Sequence, residues 1–324
     1  MCTSIAYDAG DHYFGRNLDL SYSYHETVTV VPHGFHLSFR HVPAPESRPA
    51  IIGMAYVCEG YPLYYDAVNE FGLAMAGLNF PGEASFGECE EGKDNIAVFE
   101  VIPWVLSCCH NLKEAKALLS RIRIVDEPFC ESLPVTPEHW SAADVTGSIV
   151  IESTKEGIRV YDNPTGVMTN SPAFPYMLSY LRQYRHLSPE EGGSSFAEGL
   201  ELPACSLGMA GFGLPGDLSS PSRFVRAAYT RLNSVSDGTE EGNVSQFFHI
   251  LGSVAQTRGC VRLGKEKYET TIYSSCMNLE KGIYYYRTYE NSAVQAVDLH
   301  RENLEGAELK IYPLKDTLAV NYQN

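Results

Sequence analysis

The chain has 324 residues, of which 44% are hydrophobic and 20% charged, as in an ordinary globular protein. Its 24 basic and 40 acidic residues give a net charge of −16. This balance argues against binding to nucleic acid or to an anionic membrane surface, because both favour a basic surface. No apolar run approaches the roughly 20 residues of a membrane span, and the acidic N-terminus does not resemble a signal peptide. The sequence therefore predicts one soluble, cytoplasmic domain over residues 1–324.

The nine cysteines and ten histidines form no recognisable metal or disulfide pattern. The cysteine count is odd and no Cys-x-x-Cys pair occurs, so neither a zinc site nor a disulfide framework is predicted. His33, His36 and His41 have no neighbouring ligand at metal-binding spacing. We expect no metal and no cofactor. A cysteine–histidine enzyme that uses an internal cysteine stays open at this point, because partners in space need not be neighbours in sequence.

The first predicted element is a hairpin at the start of the chain. Residues 2–7 and 12–16 read as two short strands around a segment rich in turn-forming residues. A two-residue turn at Ala9-Gly10 would pair position 2 with position 17. The returning strand would then bring polar side chains close to Cys2.

Two charged residues of the returning strand, Arg16 and Asp19, are candidates for a site around Cys2. They are an odd number of positions apart, so a regular strand would point them to opposite faces. If both serve one site, the strand must break or bulge near Asn17-Leu18. A cation close to a thiol favours the thiolate, and a carboxylate can hold an ammonium group. A simple surface Arg–Asp pair is the alternative.

Cys2 itself is one processing step from being the N-terminal residue. Removal of Met1 would leave its thiol beside its own free α-amine. A free α-amine has a pKa of about 7.7–8.0, so much of it is neutral near pH 7–8 and can act as a base. A thiol is the strongest side-chain nucleophile near its usual pKa of about 8.5. Nucleophile and base would then lie on one residue.

The rest of the chain alternates between predicted strands and helices. Strands are predicted over residues 26–32, 36–40, 50–58, 71–81, 149–151, 158–160, 167–170, 268–276, 282–289, 294–299 and 308–322. Helices are predicted over residues 95–121, with an interruption at Pro103 and a cap at Asn111, and over 174–185, 222–234 and 243–255. Ser220 before Pro221 is a helix-start signal. Strands at both ends with helices between them predict an α+β layered fold.

Three further polar residues are candidates for chemistry. Asn79 and Asn170 each end a predicted strand, where a side-chain amide can donate to a developing oxyanion, although either could be a turn-forming asparagine. Arg223 lies in the first turn of a helix, where the helix dipole disfavours a cation. A residue that breaks a local rule is a candidate for function. Arg226, three positions on, is interpreted as structural.

Several separated motifs resemble the choloylglycine hydrolase family, which includes bile salt hydrolases and penicillin V acylases. They are Met1-Cys2-Thr3, Gly15-Arg16-Asn17-Leu18-Asp19, Gly77-Leu78-Asn79-Phe80-Pro81, Thr169-Asn170-Ser171-Pro172, Leu214-Pro215-Gly216-Asp217 with Ser222-Arg223-Phe224, and Ser275 through Tyr286. The resemblance covers essentially the whole chain. It implies an N-terminal-nucleophile hydrolase fold, with two stacked antiparallel sheets between helical layers (αββα). It also implies a homotetramer and a mature chain without Met1.

The resemblance also implies a site and a substrate. Cys2 would be the nucleophile, and the catalytic residues completing the site would be Arg16, Asp19, Asn79, Asn170 and Arg223. The substrate would be a bile salt, a steroid acid joined by an amide to glycine or taurine. Candidate lining residues of the steroid pocket are Leu18, Tyr22, Tyr24, Phe80 and Phe129.

Two functions other than bile salt hydrolysis stay open. A penicillin V acylase would use the same chemistry on a phenoxyacetyl amide, but in that branch the position resembling Asn79 is often tyrosine. A non-catalytic steroid-binding relative would not require an N-terminal thiol. The complete set of candidate catalytic residues therefore favours an enzyme over a binding protein.

Overall fold

The computed structural model describes residues 1–193 and 196–324. The strands are β1 (Cys2–Ala9), β2 (Asp11–Leu20), β3 (Thr27–Val31), β4 (Ile51–Cys58), β5 (Tyr61–Asn69), β6 (Ala74–Asn79), β7 (Asp94–Ala97), β8 (Ile122–Val125), β9 (Glu138–Asp144), β10 (Gly147–Thr154), β11 (Gly157–Asp162), β12 (Val167–Met168), β13 (Arg262–Gly264), β14 (Lys267–Tyr268), β15 (Thr270–Asn278), β16 (Ile283–Thr288), β17 (Gln295–Asp298) and β18 (Lys310–Pro313). The helices are α1 (Val101–Cys108), α2 (Leu112–Leu119), α3 (Phe174–Leu181), α4 (Ser220–Asn233) and α5 (Glu240–Gly252).

Two antiparallel sheets form the centre of the molecule. The first, sheet A, has the strand order β12-β1-β2-β15-β16-β17, and the second, sheet B, has the order β11-β10-β9-β6-β5-β4-β3-β18. A short parallel pair, β7 and β8, and a small hairpin, β13 and β14, lie outside these sheets.

The two sheets stack between helices and enclose two apolar cores. The core between the sheets continues to α4 and α5 on the far side of sheet A, through residues such as Phe224 and Phe247. The other core joins α1 and α2 to the outer face of sheet B, with Trp104 and Trp140 among its members. The order of layers is therefore helices, sheet A, sheet B, helices. This confirms the predicted αββα architecture.

The N-terminal hairpin is present, but its predicted register is wrong by one residue. Cys2 pairs with Leu18 rather than with residue 17. The reason is that the turn uses Gly10 alone, with Ala9 opposite Asp11. Gly10 has a φ of 91°, a left-handed conformation that glycine adopts without steric cost. Because opposite residues share a face, Cys2, Arg16 and Leu18 all point toward sheet B.

The predicted bulge near Asn17-Leu18 is also placed differently. Strand β2 runs unbroken from Asp11 to Leu20, and the irregularity lies in its neighbour β15, between Thr271 and Tyr273. Arg16 and Asp19 therefore do lie on opposite faces of sheet A. Cys2 pairs with Leu18, which lies between Arg16 and Asp19 on β2, so both residues still flank Cys2.

Several other predicted elements differ from the structure. Residues 36–40 are irregular rather than a strand, and the last predicted strand is confined to Lys310–Pro313. The helical block predicted from residue 95 is wrong at its start, because residues 95–97 belong to strand β7. It breaks after α1 rather than at Pro103, because an amide in the first turn of a helix needs no intrahelical partner. Asn111 caps α2 as predicted. Helix α4 begins at Ser220 with Ser219 as its N-cap, so Pro221 follows the first position.

No helix among the residues that the structure describes is long and apolar enough to cross a membrane.

Close packing of β2 against β15 generates a stability prediction. A Cβ atom added at Gly15 would collide with the backbone carbonyl of Ser275. We expect Gly15→Ala to lower the free energy of unfolding by about 1–3 kcal/mol, the usual cost of overpacking, as measured by urea denaturation. Gly264→Ala is the control, since a Cβ there meets no atom within 4 Å. An unchanged unfolding free energy for Gly15→Ala would contradict this packing.

Candidate active site

A cavity of about 310 Å³ opens where the hairpin of sheet A meets sheet B. Its lining is mostly apolar and aromatic and includes Cys2, Arg16, Leu18, Leu20, Tyr24, Tyr56, Leu63, Tyr65, Gly77, Asn79, Phe99, Ile102, Phe129, Leu133, Val135, Glu138 and Trp140. A volume of this size is typical of a small-molecule site.

The cavity exists because two central strands of sheet B separate. The pairing of β5 with β6 ends at Asp66 opposite Ala76. On the side of β5 that faces β4, the register shifts by one residue. Asp66 and Tyr64 pair with consecutive residues of β4, so Tyr65 between them is an extra residue without a partner. A bulge of this kind bends the strand and leaves backbone groups without a ladder partner.

Arg16 satisfies the backbone groups that the separation exposes. Its Nη1 donates to the carbonyl oxygens of Tyr65, at 3.0 Å, and of Gly77, one residue beyond the last pair on each strand. The side chain is fully buried, and its Nη2 has no hydrogen-bond partner among the described residues. Arg16 thus supplies the hydrogen bonds that the separated strands no longer make with each other. It also places a cation beside Cys2.

The charges around Arg16 keep its guanidinium protonated. Burial alone would lower the pKa of Arg16, but Cys2, Tyr273, Asp66 and Glu138 together raise it. Asp66 is buried between the sheets and accepts hydrogen bonds from the hydroxyls of Tyr273 and Tyr284, each at 2.6 Å. The cation therefore faces a fixed acidic group as well as the thiol.

Arg223 holds the N-terminal strand from the opposite face of sheet A. It extends from α4, is fully buried, and donates through Nη1 to the Cys2 carbonyl at 2.5 Å and to Thr3 Oγ1 at 2.6 Å. Its Nη2 donates to Asn170 Oδ1 at 2.6 Å. Burial lowers the pKa of Arg223, while Asp19 and Cys2 raise it. Arg223, a cation that the helix dipole disfavours in the first turn of α4, is thus the central hydrogen-bond donor of the site.

Asn170 connects three separate segments of the chain. Its Oδ1 accepts from the backbone nitrogen of Cys2 at 2.8 Å, besides the bond from Arg223. Its Nδ2 donates to the carbonyl oxygen of Asn79 at 2.7 Å. Its own backbone nitrogen donates to Ser220 Oγ at 2.9 Å, so Ser220 orients Asn170 instead of capping α4. Both side-chain polar atoms of Asn170 and its backbone nitrogen have partners within the protein, whereas Asn79 lines the cavity.

Asp19 lies on the same face as Arg223, behind Cys2. Its Oδ1 accepts from the Thr271 hydroxyl at 2.6 Å, and its buried Oδ2 has no partner among residues 1–193 and 196–324. Burial raises the pKa of Asp19, whereas Arg223 and the terminal ammonium oppose this rise. A buried carboxylate oxygen without a donor is costly, so a cationic donor at this point would stabilise the site.

Met1 occupies the end of the hairpin. Its ammonium group donates to the Asp19 carbonyl at 2.8 Å and forms an ion pair with Glu269. Burial lowers the pKa of this α-amine, although Cys2 and Asp19 raise it. The terminal amine is therefore held in a partly buried, acidic environment at the start of β1.

The cavity contains three of the five predicted pocket residues. Leu18, Tyr24 and Phe129 line it. Phe80 does not, because it points away from Asn79 along the strand and stacks on His139 with ring centroids 4.2 Å apart. Tyr22 is exposed, and its hydroxyl bonds to that of Tyr24 at 2.6 Å, so it lies outside the cavity lining.

Sequence reasoning missed several residues at this site. Glu138 and Trp140 face the cavity from β9, a strand that the pattern analysis did not assign, and Tyr65 lies on the similarly missed β5. Desolvation raises the pKa of Glu138 to about 7, against the opposing charge of Arg16.

The αββα layering of two antiparallel sheets is the fold of the N-terminal-nucleophile hydrolases. In this chain a buried cysteine, Cys2, lies next to the chain terminus. The model of the family described as linear amide C-N hydrolases, choloylglycine hydrolase family, matches residues 2–312. The chain belongs to this family and is an amide hydrolase.

Its relatives include proteins named as bile salt hydrolases. It is 52% identical to a "bile salt hydrolase/transferase" of Lactiplantibacillus plantarum, over 97% of both chains. It is 40% identical to the protein of the same name from Clostridium perfringens, over 100% of both chains. A crystal structure of a mutant conjugated bile acid hydrolase from Clostridium perfringens superposes with a TM-score of 0.92, at 40% identity and full coverage of both chains. A penicillin V acylase from Agrobacterium tumefaciens, with a TM-score of 0.75 and 19% identity over 96% of this chain and 90% of that chain, shares the fold.

The different contacts of two arginines on α4 generate a prediction. Arg223 contacts the Cys2 strand and Asn170, whereas Arg226 donates to the carbonyls of Ser253 and Pro215. A lysine cannot reproduce the forked donation of Arg223. We expect Arg223→Lys to lower kcat/KM for amide hydrolysis by about 10²-fold, a typical loss for a misplaced active-site group.

Arg226→Lys is the matched control, because it makes the same chemical change on the same helix. We expect its kcat/KM to stay within about 3-fold of wild type, because the carbonyls it contacts, those of Ser253, Pro215 and Asp217, do not contact Cys2 or Asn170. Equal losses in the two variants would mean that α4 acts only as a structural support.

Proposed function

We propose that the protein hydrolyses the amide bond of glycine- or taurine-conjugated bile salts, with Cys2 as the nucleophile after removal of Met1. The observation that carries the proposal is the position of Cys2, whose side chain lines the apolar cavity while its backbone is held by Arg223 and Asn170. An apolar cavity with few polar groups suits a steroid acid. The names of the relatives support this substrate class.

In the first step, the Cys2 sulfur attacks the amide carbonyl carbon and its proton passes to the free α-amine of the same residue. Asn170 Oδ1, which already accepts from the Cys2 nitrogen at 2.8 Å, would fix the direction of that amine. Asp19 Oδ2, which is buried and unpaired among the described residues, would stabilise the ammonium form. Arg16 would favour the thiolate from the cavity side.

The developing oxyanion needs a hydrogen-bond donor in the cavity. Asn170 Nδ2 donates to the Asn79 carbonyl, whereas the Asn79 side chain lines the cavity. We therefore assign the donor role to Asn79 and an organising role to Asn170. The carbon–nitrogen bond then breaks, and the ammonium of Cys2 gives its proton to the departing glycine or taurine nitrogen.

The resulting thioester is released by water. The free amine of Cys2 accepts a proton from the attacking water, the carbon–sulfur bond breaks, and the bile acid leaves as the thiol is restored. An amine that takes the place of this water would form a new amide instead. The word "transferase" in the names of the relatives supports this second outcome.

We also propose a homotetramer in the cytoplasm. Large apolar side chains are exposed between Phe196 and Phe212, including Leu207 at 93% exposure, and such patches mark interfaces between proteins. All nine cysteines are free, as in proteins of reducing compartments. These observations support the two proposals from the sequence.

The direct test incubates the purified protein with glycocholate, taurocholate and penicillin V and quantifies the released amines. We expect release of glycine or taurine at a kcat/KM well above that for penicillin V. Cys2→Ser should abolish release while thermal unfolding stays similar, because a neutral hydroxyl is a far weaker nucleophile than a thiol near neutral pH. Full activity of Cys2→Ser would overturn the mechanism, and a preference for penicillin V would make the protein an acylase of that type. Steroid binding without release of any amine would indicate a non-catalytic relative.

Asn79 provides a second test, which separates the two substrate branches. A tyrosine there would remove the amide donor and add a flat aromatic face. We expect Asn79→Tyr to lower kcat/KM for conjugated bile salts by about 10²–10³-fold, the usual cost of one oxyanion donor, and to affect penicillin V hydrolysis far less. An equal fall on both substrates would indicate general damage, and no fall on bile salts would remove Asn79 from the site.

A further inference from the structure

Two polar side chains of β9 lie together on the cavity wall. Trp140 pairs with Gly77 and Glu138 pairs with Asn79, so all four residues share one face of sheet B. Because Gly77 has no side chain, Glu138 and Trp140 occupy the space above it. A Cβ at Gly77 would lie 2.8 Å from Glu138 Oε2 and 3.3 Å from Trp140 Nε1. A carboxylate oxygen and an indole N–H therefore converge on one point beside the cavity.

Neither group has a hydrogen-bond partner within the part of the chain that the structure describes. Trp140 is completely buried, and its Nε1 is an unpaired donor. Glu138 is partly buried, and only desolvation and the charge of Arg16 act on its carboxyl group. Buried donors are normally satisfied, so an unpaired indole N–H of a residue that lines a cavity points to a ligand.

The chemistry of the pair defines the ligand group. The indole can only donate, and at a pH above its pKa of about 7 Glu138 is ionised and can only accept. A hydroxyl satisfies both at once, since its oxygen accepts from Trp140 and its hydrogen is donated to Glu138. A carboxylate ligand would be repelled by Glu138, and an ammonium ligand could not accept from Trp140 and would be repelled by nearby Arg16.

We propose that Glu138 and Trp140 form a hydroxyl-recognition subsite that selects acyl groups by their hydroxylation. The subsite rests on the proposed function, in which the acyl group is a steroid acid that carries ring hydroxyls. Both residues line the same cavity as Cys2, so one acyl group bound in it can contact both the thiol and the subsite. These residues determine specificity and take no part in bond breaking.

The test measures kcat/KM for a series of taurine conjugates that differ only in ring hydroxylation, from taurocholate to unsubstituted 5β-cholanoyltaurine. We expect wild type to favour the conjugate with the recognised hydroxyl by about 10- to 100-fold, the effect of a hydrogen bond to a charged or buried partner. Glu138→Leu and Trp140→Phe should each remove most of this preference. Glu138→Gln should retain most of it, because an amide oxygen still accepts.

Trp104→Phe is the matched control. Its Nε1 is also buried and unpaired among the described residues, but Trp104 does not line the cavity. It should leave the preference unchanged. If Glu138→Leu slows every conjugate equally, the residue acts through Arg16 and the subsite is wrong.

The failure of the subsite can be distinguished from the failure of the proposed function. If wild type hydrolyses the conjugates without regard to hydroxylation, the proposed function stands and the subsite is overturned. If wild type hydrolyses none of them, the proposed function falls, and calorimetric binding of cholate and 5β-cholanoate to the Cys2→Ala variant decides the subsite. Tighter binding of cholate that depends on Glu138 would support it, and equal binding would overturn it.

Discussion

The guanidinium of Arg16 crosses from sheet A to sheet B and donates to the carbonyl oxygens of Tyr65 and Gly77, where β5 and β6 separate. Without this donor, the separated strands would leave two buried carbonyls unpaired, and the cavity between them would be costly to form. The same cation lies beside Cys2. Removing one member of such a buried charged network typically costs about 3–5 kcal/mol, so the opening of the sheet and the environment of the thiol depend on one residue.

The opposite face of sheet A supplies the rest of the site. Arg223 and Asn170 fix the backbone of Cys2, and Asp19 places a carboxylate behind it. Because strand residues alternate between faces, the Cys2 side chain points into the cavity while Arg223 and Asp19 hold the strand from the helix side. In the proposed mechanism, the α-amine lies beside its own thiol, so it can reach both the sulfur and the departing nitrogen.

Local sequence patterns predicted a layered α+β fold, and the resemblance to the choloylglycine hydrolase family supplied the αββα architecture and the set of residues expected around Cys2. The hairpin and the long helices follow from local alternation and turn residues, and Cys2, Arg16, Asn170 and Arg223 do converge in the structure. The register failed by one residue, because the conformation of Gly10 depends on packing as well as on the local sequence. The predicted pocket position of Phe80 is wrong, because adjacent strand residues alternate and the Phe80 side chain points away from the cavity that Asn79 lines.

Local sequence patterns did not predict strands β5 and β9, which carry much of the cavity wall. Pro62 weakens the strand pattern of β5, and the bulge at Tyr65 breaks its alternation. Strand β9 is buried on both faces, so its pattern is not that of a half-exposed strand. The position of Glu138 above Gly77 depends on pairing between segments about sixty residues apart, which no local pattern encodes.

The central claim is that the α-amine of Cys2 is the catalytic base. It is tested most directly by separating chains that retain Met1 from chains that begin at Cys2, verifying each by intact mass, and measuring amide hydrolysis by both. The proposed mechanism predicts that activity belongs to the chains that begin at Cys2 and that Met1-retaining chains are inactive. Comparable activity in verified Met1-retaining chains would contradict it, because their Cys2 nitrogen is a peptide amide and cannot act as a base.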